Sequence, residues 1–271
     1  MNKWAVIGLG FISPRHLKAI KWIGDEILIG FDKETEWEQM IEGNLWKKVT
    51  HVAICTPNFL HYRMCEAMKD KVVLCEKPLT LTSEEALKLP DNVFTVLQLR
   101  HNKEIVALKS KLDAEPEGTK HSGKMTVIVK RDKEYWKGWK GDESKSGGIL
   151  FNLGIHYFDL LIHLFGDKYK IKKSDQLFSI KNCFLPDPPL TIASGTIDFD
   201  GNIFDYHLAI RDTDDQQDRR LEIDGKEISL SKKDNLSFED LHKDVYMNLK
   251  HGVGVKPQEA AKSIRLIEKL R

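Results

Sequence analysis

The sequence predicts an α/β protein: an amino-terminal domain with a doubly wound parallel sheet, then an α+β domain with an open, mainly antiparallel sheet. Up to about residue 100, apolar runs alternate with helical stretches, which is typical of parallel strands covered by helices. Afterwards strand-like runs dominate, with hairpin turn signals at Asp200-Gly201 and Asp224-Gly225. We therefore expect a first domain over residues 1–102 and a second over residues 103–271, whose final helix packs back on the first.

The elements of the first domain follow from short apolar runs and amphipathic stretches. Strands are predicted at residues 4–10, 26–31, 52–55 and 72–75, and helices at residues 14–22, 59–68 and 83–89. Ser83 is the predicted cap of the third helix, whose first turn carries Glu84 and Glu85. The stretch 34–50 is too short for a full helix plus an extra strand.

The second domain is predicted to consist mostly of strands and hairpins. Strands are expected at residues 125–129, 190–199, 204–211, 221–223 and 227–230. A closing amphipathic helix over residues 257–270 has Ala260, Ile264 and Ile267 on one side. Residues 183–189 are expected to form a proline-punctuated loop.

The turn after the first strand has the glycine spacing of a dinucleotide-binding (Rossmann) fold. Gly8 permits a tight turn, and Gly10 lets the backbone approach a pyrophosphate that binds the free N–H groups of the next helix. Phe11 and Ile12 lie in the same loop, and the third glycine position is occupied by Ser13. A glycine pair after an apolar run also occurs in ordinary turns, so this motif alone does not establish a cofactor site.

The second strand ends at Asp32, the spacing at which an acidic residue meets the adenosine ribose. A carboxylate there accepts hydrogen bonds from the ribose hydroxyls and repels a 2′-phosphate, which favours NAD over NADP. Lys33 beside it weakens this preference. The alternative is an acidic strand end that only starts a turn.

The third and fourth strands lead into Thr56-Pro57-Asn58 and Glu76-Lys77-Pro78. In a doubly wound sheet, ligands bind just beyond the carboxyl ends of the strands, so we expect these loops to line one crevice. An ammonium group on Lys77 can hydrogen-bond a substrate hydroxyl and stabilise a developing alkoxide. The alternative for this lysine is an ordinary surface position at a strand end.

Composition excludes several classes of protein. The 42 basic and 41 acidic residues nearly cancel, so no nucleic-acid partner is expected. We find no run that is long and apolar enough to span a bilayer and no signal peptide, and we expect a cytoplasmic protein. The four cysteines show no metal-binding spacing and are predicted to be reduced and mostly buried: Cys55, Cys65, Cys75 and Cys183.

A second concentration of chemistry is predicted on an apolar helix that opens at Gly147-Gly148 and runs to Phe165. Helical spacing aligns four polar residues along one side of it: Asn152, His156, Asp159 and His163. His156 is a candidate general base, because imidazole titrates near neutrality. A satisfied structural histidine is the alternative, and a metal site on this face is disfavoured, so we predict none.

Four motifs, in this order, resemble the glucose-fructose oxidoreductase/inositol dehydrogenase/MocA family. They are Gly-Leu-Gly, Thr-Pro-Asn-x-x-x-His61, Glu-Lys-Pro, and Gly-Gly-x-x-x-Asn-x-Gly-x-His-x-x-Asp. The resemblance implies an NAD-dependent sugar dehydrogenase with Lys77 and His156 as catalytic residues. Asn152 stands where the family commonly has aspartate, and we include it in the catalytic set. The implied cofactor contacts are Gly8, Gly10, Phe11, Ile12, Asp32, Lys33, Thr56, Pro57, Asn58, His61, Glu76, Lys77 and Gln98.

Further motifs are similar to those of UDP-N-acetylglucosaminuronic acid 3-dehydrogenases of surface-polysaccharide (lipopolysaccharide) biosynthesis. They are Leu97-Gln-Leu-Arg-His-Asn102, the run from Tyr135 to Asp142, Lys145-Ser146 and Asp240-Leu-His242. The resemblance implies oxidation of the 3-hydroxyl of the sugar, reoxidation of NADH by 2-oxoglutarate, and a homodimer or homotetramer formed through the open sheet. The implied substrate contacts are Arg100, Trp139, Lys140, Lys145, Asn152 and Asp159.

Two other functions stay open. One is a dehydrogenase of another sugar, sugar nucleotide or inositol, which the general motifs fit equally well. The other is a catalytically silent NAD-binding regulator, against which the presence of both Lys77 and His156 argues.

Overall fold

The computed structural model describes residues 1–32, 34–178, 190–211, 217–231 and 237–271. The chain divides into two compact units. Unit 1 comprises Met1–Gln98 and Ser237–Ala261, and unit 2 comprises Leu99–Leu236 and Lys262–Arg271. The predicted fold class is confirmed in both units.

Unit 1 is built on a five-stranded parallel sheet in the order β2-β1-β3-β4-β5. Its strands are β1 (Lys3–Ile7), β2 (Glu26–Phe31), β3 (His51–Ile54), β4 (Val72–Cys75) and β5 (Val93–Thr95). Its helices within the first 98 residues are α1 (Ser13–Trp22), α2 (Glu34–Met40), α3 (His61–Ala67) and α4 (Ser83–Lys88). Nearly every residue of β1, β3 and β4 is buried, as is usual for parallel strands covered on both faces.

Two details of unit 1 refine the sequence analysis. Thr82, rather than Ser83, caps α4, because its side-chain oxygen accepts the backbone N–H of Glu85. Between β2 and β3 the described residues form α2 and a short 3₁₀ turn at Trp46–Lys48 without a further strand, as the length of this stretch predicts. The three-residue strand β5 was not predicted, since so short a run carries little periodicity.

The main departure from the predicted domain division is the segment Ser237–Ala261, which belongs to unit 1. It contains α8 (Phe238–Lys250), and the closing helix α9 (Pro257–Leu270) begins in it. Val245, Tyr246 and Leu249 of α8 share one core with Trp4 of β1 and Ile20 of α1. The reason is hydrophobic: without α8, these side chains of β1 and α1 would be exposed to water.

Unit 2 contains a six-stranded sheet in the order β11-β10-β6-β9-β8-β7. Its strands are β6 (Ser122–Lys130), β7 (Lys170–Phe178), β8 (Leu190–Phe199), β9 (Asn202–Arg211), β10 (Asp218–Ile223) and β11 (Lys226–Ser229). All neighbours are antiparallel except β6 and β9. Its helices are α5 (Lys103–Asp113), α6 (Glu143–Ser146) and α7 (Ile155–Phe165), with α7 preceded by a π-helical turn at Leu150–Gly154.

The predicted hairpins of unit 2 are confirmed. Asp200 and Gly201 have φ values of 52° and 93°, and Asp224 and Gly225 have 50° and 77°. Two successive residues with positive φ make the tight turn that suits the twist of antiparallel strands. The first turn joins β8 to β9, and the second joins β10 to β11.

The core of unit 2 lies between α7 and the sheet and is rich in aromatic side chains. The Phe158 ring lies 5.2 Å from that of Tyr206 on β9, in an edge-to-face arrangement. Phe165, at the end of α7, lies 4.5 Å from Phe204. These contacts fix the helix that carries His156 against the sheet.

The largely helical stretch Glu143–Phe165 corrects one expectation, because it is long and apolar enough to cross a membrane by length and composition. However, 72% of its most apolar window is buried inside the protein, as in the core helix of a folded domain. Among the cysteines, Cys55, Cys65 and Cys75 are buried free thiols, as predicted. Cys183 and the predicted loop at 183–189 lie outside the described residues.

Candidate active site

The glycine turn of unit 1 has the geometry that its sequence predicts. Gly8 has a φ of +87°, and a Cβ atom there would lie 2.8 Å from the carbonyl group of Cys55, so neither the conformation nor the space allows a side chain. At Gly10, by contrast, a Cβ atom would meet nothing within 4 Å. Gly8 therefore lets β1 and β3 approach each other, and Gly10 leaves its backbone open to a ligand.

The beginning of α1 is also suited to an anion. Its N-cap residue Ile12 provides no side-chain hydrogen bond to the helix, and Pro14 lies in the first turn. Ser13, at the third glycine position, is buried and donates its hydroxyl proton to the carbonyl oxygen of Gly10 at 2.8 Å. Ser13 thus closes the turn internally, so the polar side chain does not disturb the approach of helix and strand.

Asp32 lies beside the glycine turn. One of its carboxylate oxygens accepts the backbone N–H of Leu9 at 2.8 Å, while the side chain stays exposed. This contact holds the acidic group at the end of β2, next to the loop that is predicted to bind the pyrophosphate. Lys33, a predicted cofactor contact, lies outside the described residues.

The His61 side chain connects two of the predicted cofactor loops. It is fully buried, with Nδ1 at 2.6 Å from the carbonyl oxygen of Pro78 and Nε2 at 2.9 Å from that of Thr56. Burial lowers the pKa of His61, and the two carbonyl oxygens only partly offset this effect. His61 therefore ties the loop after β3 to the loop after β4 rather than presenting an exposed contact.

Glu76 belongs to a buried cluster that also includes His16, His242 and Tyr246. Nε2 of His16 lies 3.0 Å from Oε1 of Glu76, its Nδ1 lies 2.7 Å from the hydroxyl of Tyr246, and Nε2 of His242 lies 3.5 Å from Oε1 of Glu76. Burial raises the pKa of Glu76, but the hydrogen bond from His16 and the closeness of both histidine rings more than offset this, so that the pKa lies well below its ordinary value. Burial lowers the pKa of His16, against the opposing effect of Glu76.

These directions describe a charged Glu76 and a neutral His16 that donates Nε2–H to the carboxylate and accepts the Tyr246 hydroxyl proton. Within the described residues, one ligand atom each of His16, Glu76 and His242 lies within 4.8 Å of the others, close enough to share a metal ion. The hydrogen bond between His16 and Glu76 accounts for their approach without one.

The cluster also reaches the candidate catalytic lysine. The backbone N–H of Lys77 is 3.1 Å from Oε2 of Glu76, and the Lys77 side chain is half-buried. Gln98, a predicted cofactor contact, is buried, and its Oε1 atom lacks a hydrogen-bond partner within the described part of the chain. Such an atom favours a ligand that donates a hydrogen bond. Together with the open backbone at Gly10, it fits a bound dinucleotide.

In unit 2, the helix around His156 differs from the regular helix that was predicted. Gly147 and Gly148 both have positive φ, of 78° and 71°, and end α6, and the chain then makes the π turn before α7. Asn152 lies in the π turn and His156 in the first turn of α7, and both are half-buried. Wide turns of this kind often occur at functional sites, because they change which way a side chain points.

Two predicted substrate contacts, Arg100 and Asp159, form a buried ion pair with each other. Nε and Nη2 of Arg100 each donate to one carboxylate oxygen of Asp159 at 2.7 Å. The side chains are only 8% and 1% exposed. Any substrate anion near Arg100 would therefore compete with Asp159, and the pair primarily fixes the 3₁₀ turn Gln98–His101 against α7.

The loop between β6 and α6 brings together several of the remaining predicted substrate contacts. Trp139 and Lys140 are half-buried, with Nζ of Lys140 lying 5.8 Å from the centre of the Trp139 ring. Lys145 pairs with Asp142 at 3.3 Å. Trp136 is buried, with its ring 5.0 Å from that of Tyr135, so this tryptophan anchors the loop.

Sequence reasoning assigned no site role to five side chains that lie in or beside these clusters: His16, His242, Tyr246, Arg131 and Tyr135. His16 lies in α1, directly after the glycine turn, so its position in the sequence could have indicated it. Its contact with Glu76 is visible only in the structure. Tyr135 accepts a hydrogen bond from Nδ2 of Asn152 at 2.5 Å. This contact joins residues 17 positions apart, and no local pattern predicts it.

Family models match both units. Residues 29–93 match the NAD-binding Rossmann-fold domain of the GFO/IDH/MocA oxidoreductase family, and residues 119–239 match its C-terminal alpha/beta domain. The chain belongs to this family. The predicted family is thereby confirmed, and unit 1 contains the NAD-binding domain of this family.

The WlbA (WbpB) dehydrogenase from Thermus thermophilus is similar over nearly its whole length. Its complex with NAD and alpha-ketoglutarate is 31% identical, with a TM-score of 0.83 covering 100% of this chain and 94% of that one. Its complex with NAD and UDP-GlcNAcA is 30% identical, with a TM-score of 0.79 covering 98% and 94%. Glucose-6-phosphate 3-dehydrogenase from Bacillus subtilis is 27% identical over 190 residues, 61% of this chain. The match spans about half, 54%, of that relative's length.

Proposed function

We propose that the protein is an NAD-dependent dehydrogenase that oxidises the 3-hydroxyl of UDP-N-acetylglucosaminuronate to the 3-keto sugar. The observation that carries this proposal is the similarity to the Thermus thermophilus dehydrogenase, which binds NAD together with UDP-GlcNAcA and covers nearly the whole chain. The glycine turn, the loop at Lys77 and the helix at His156 supply groups suited to this reaction.

Each candidate catalytic residue has a separate task. Nδ1 of His156 is buried, so we assign to Nε2 the acceptance of the proton from the 3-hydroxyl. The Lys77 ammonium hydrogen-bonds the same oxygen and stabilises the negative charge that develops on it. Asn152 orients the sugar, since an amide can donate and accept hydrogen bonds without adding charge. When bound, NAD supplies the acceptor for the hydride of carbon 3.

We further propose that 2-oxoglutarate reoxidises the cofactor and is itself reduced to 2-hydroxyglutarate. Support comes from the Thermus thermophilus relative, which was solved with alpha-ketoglutarate beside NAD. The remaining expectations are a cytoplasmic reaction in lipopolysaccharide biosynthesis and a homodimer or homotetramer formed by the open sheet of unit 2. Light scattering of the purified protein measures the last of these.

A second candidate is 3-oxidation of a phosphorylated free sugar. The similarity to glucose-6-phosphate 3-dehydrogenase favours it, and this reaction would need the same base and the same lysine. The two candidates differ in the charged group that the sugar carries away from its 3-hydroxyl, a phosphate ester against a uridine diphosphate, and therefore in the substrate contacts that they need in unit 2.

The test is to mix the purified protein with NAD and either UDP-N-acetylglucosaminuronate or glucose 6-phosphate, with and without 2-oxoglutarate. NADH absorbance and mass spectrometry of the sugar and of 2-hydroxyglutarate are the readouts. We expect 3-keto UDP sugar, with 2-hydroxyglutarate formed when 2-oxoglutarate is present. Turnover of glucose 6-phosphate alone would overturn the first proposal in favour of the second.

A further inference from the structure

Tyr135 is the centre of a compact group of polar side chains next to Asn152. It lies in the 3₁₀ turn Lys133–Trp136, whose start is capped by Asp132 through the backbone N–H of Tyr135. Its hydroxyl is 2.5 Å from Nδ2 of Asn152, one turn before His156. The position of the Tyr135 side chain is therefore fixed at both ends.

Two cations lie against the ring of Tyr135. The guanidinium carbon of Arg131 is 4.9 Å from the ring centre, and Nζ of Lys140 is 4.7 Å from it. All three side chains are half-buried. Two positive groups therefore approach one aromatic ring in a partly desolvated place, where their mutual repulsion is stronger than in water.

Neither cation forms an ion pair with a carboxylate among the residues that the structure describes. Other cations of this loop do: Lys137 pairs with Glu134 at 2.5 Å, and Lys145 pairs with Asp142. Burial lowers the pKa of Lys140, and the charge of Arg131 lowers it further. An anion bound close to both Arg131 and Lys140 would offset this repulsion and favour the protonated lysine.

We propose that Arg131, Tyr135 and Lys140 form a subsite that binds a carboxylate of the reactants. This inference rests on the proposed function and adds residues to it, since Arg131 and Tyr135 are not among the predicted substrate contacts. A guanidinium fork matches the two oxygens of a carboxylate, and the ammonium and phenol groups supply further donors. A carboxylate needs no more than these few donors, whereas a uridine diphosphate is longer and would extend beyond them.

The carboxylate has two possible sources, the uronate group of the sugar nucleotide and a carboxylate of 2-oxoglutarate. Calorimetric titration with three ligands separates them: UDP-N-acetylglucosaminuronate, UDP-N-acetylglucosamine, which lacks the carboxylate, and 2-oxoglutarate. The variants are Arg131→Met, Arg131→Lys, Lys140→Met and Tyr135→Phe. The sugar nucleotides are titrated in the presence of NADH and 2-oxoglutarate in the presence of NAD, so that no turnover accompanies binding. Lys124→Met is the matched control, because Lys124 is an exposed cation of β6, the strand that ends immediately before Arg131.

For the uronate, we expect the unmodified protein to bind the carboxylate-bearing sugar nucleotide roughly tenfold more tightly than its neutral counterpart. Arg131→Met and Lys140→Met should remove this preference, Arg131→Lys should retain part of it, and Lys124→Met should leave it unchanged. Binding of the neutral sugar nucleotide should be the same in all variants. For 2-oxoglutarate as the source, only its binding should weaken.

Several outcomes overturn the inference. If Arg131→Met and Lys140→Met weaken both sugar nucleotides equally, the two cations bind the diphosphate and not a carboxylate. If they leave all three ligands unaffected, the cluster is structural. If the unmodified protein binds neither sugar nucleotide, the proposed substrate is wrong. The inference is then tested by the binding of 2-oxoglutarate alone. An unchanged affinity for 2-oxoglutarate in Arg131→Met would contradict it.

Discussion

The two units form their candidate sites in different ways. In unit 1 the site depends on backbone geometry near the ends of parallel strands, where Gly8 and Gly10 control how closely the chain and a ligand approach. In unit 2 it depends on side chains from separate segments, as in the contacts of Tyr135 with Asn152 and of Arg100 with Asp159. Backbone sites are local in sequence, whereas side-chain sites depend on how the chain folds back on itself.

The two units also differ in how their buried charged side chains are neutralised. In unit 1 the buried carboxylate of Glu76 is satisfied internally, because His16 and the backbone N–H of Lys77 hydrogen-bond its two oxygens. In unit 2 the buried charges of Arg100 and Asp159 satisfy each other, whereas two cations lie beside Tyr135, close to Asn152. We infer that unit 1 is assembled before ligands arrive, while the charges of unit 2 are balanced when substrate binds.

The largest expected effect is the loss of activity when either candidate catalytic residue, Lys77 of unit 1 or His156 of unit 2, is replaced. Lys77→Ala and His156→Ala should each reduce kcat by about 10² to 10⁴-fold, because each removes a group that handles the proton or the developing charge. The affinity for NAD, measured by calorimetry, should change little. His163→Gln, on the same helix as His156, serves as a control and should keep its activity. Normal turnover in both alanine variants would contradict the assignment of Lys77 and His156 as catalytic residues.

The buried ion pair of unit 2 is expected to matter for stability. Asp159→Asn leaves the buried Arg100 charge without the opposing carboxylate of Asp159 and should lower the free energy of unfolding by about 3 kcal/mol. Urea denaturation measures this effect. The double variant Arg100→Met with Asp159→Leu should recover most of the loss, because no charge then remains buried. If Asp159→Asn is as stable as the original protein but binds substrate poorly, the pair functions chiefly as a substrate contact.

The sequence predicted the site of unit 1 more completely than that of unit 2. The glycine turn, Asp32 and the loop at Lys77 are each recognisable within a few residues, because parallel strands place their carboxyl ends along one edge. His16, His242 and Tyr246 escaped assignment, since α8 is far from β4 in the chain and only the folded core of unit 1 joins them.

In unit 2, patterns of hydrophobic residues predicted every described strand except β7, together with the hairpins and the apolar helix. They did not predict α5 or the π turn that contains Asn152. A regular helical spacing assumes that each turn is the same, so a single wide turn is invisible to it. The pairing of Arg100 with Asp159 was likewise not predictable, although the resemblance had named both residues as substrate contacts.

Substitutions of Gly8 and Gly10 test whether backbone geometry determines how unit 1 binds NAD. Gly8→Ala introduces a Cβ atom 2.8 Å from the Cys55 carbonyl group, and should destabilise the protein by about 2 kcal/mol and weaken NAD binding. Gly10→Ala meets no protein atom within 4 Å, so it should weaken NAD binding without loss of stability.

Gly118→Ala is the control for backbone strain, because Gly118 has a φ of +88° but open space around it. The difference in unfolding free energy between Gly8→Ala and Gly118→Ala then measures the steric clash alone. If Gly10→Ala binds NAD as tightly as the original protein, the pyrophosphate does not approach Gly10, and the backbone description of unit 1 is wrong.

The smallest expected effect concerns pH and the buried histidines of unit 1. Burial lowers the pKa of both His16 and His61, so in mildly acidic solution the unfolded chain binds protons that the folded protein does not. Stability is therefore complete above the ordinary histidine pKa of about 6.5 and falls as pH decreases from there toward the lower folded pKa values. The pKa of Glu76 is also lowered, so the protein loses further stability as the pH falls below the ordinary range of a carboxyl group.

Urea denaturation at several pH values should show this decline in stability. His16→Gln should reduce the slope of stability against pH between pH 6.5 and the carboxyl range, because an amide does not titrate. An unchanged slope in His16→Gln would mean that His16 is already protonated in the folded protein, and the charge assignment of the cluster around Glu76 would have to be reversed.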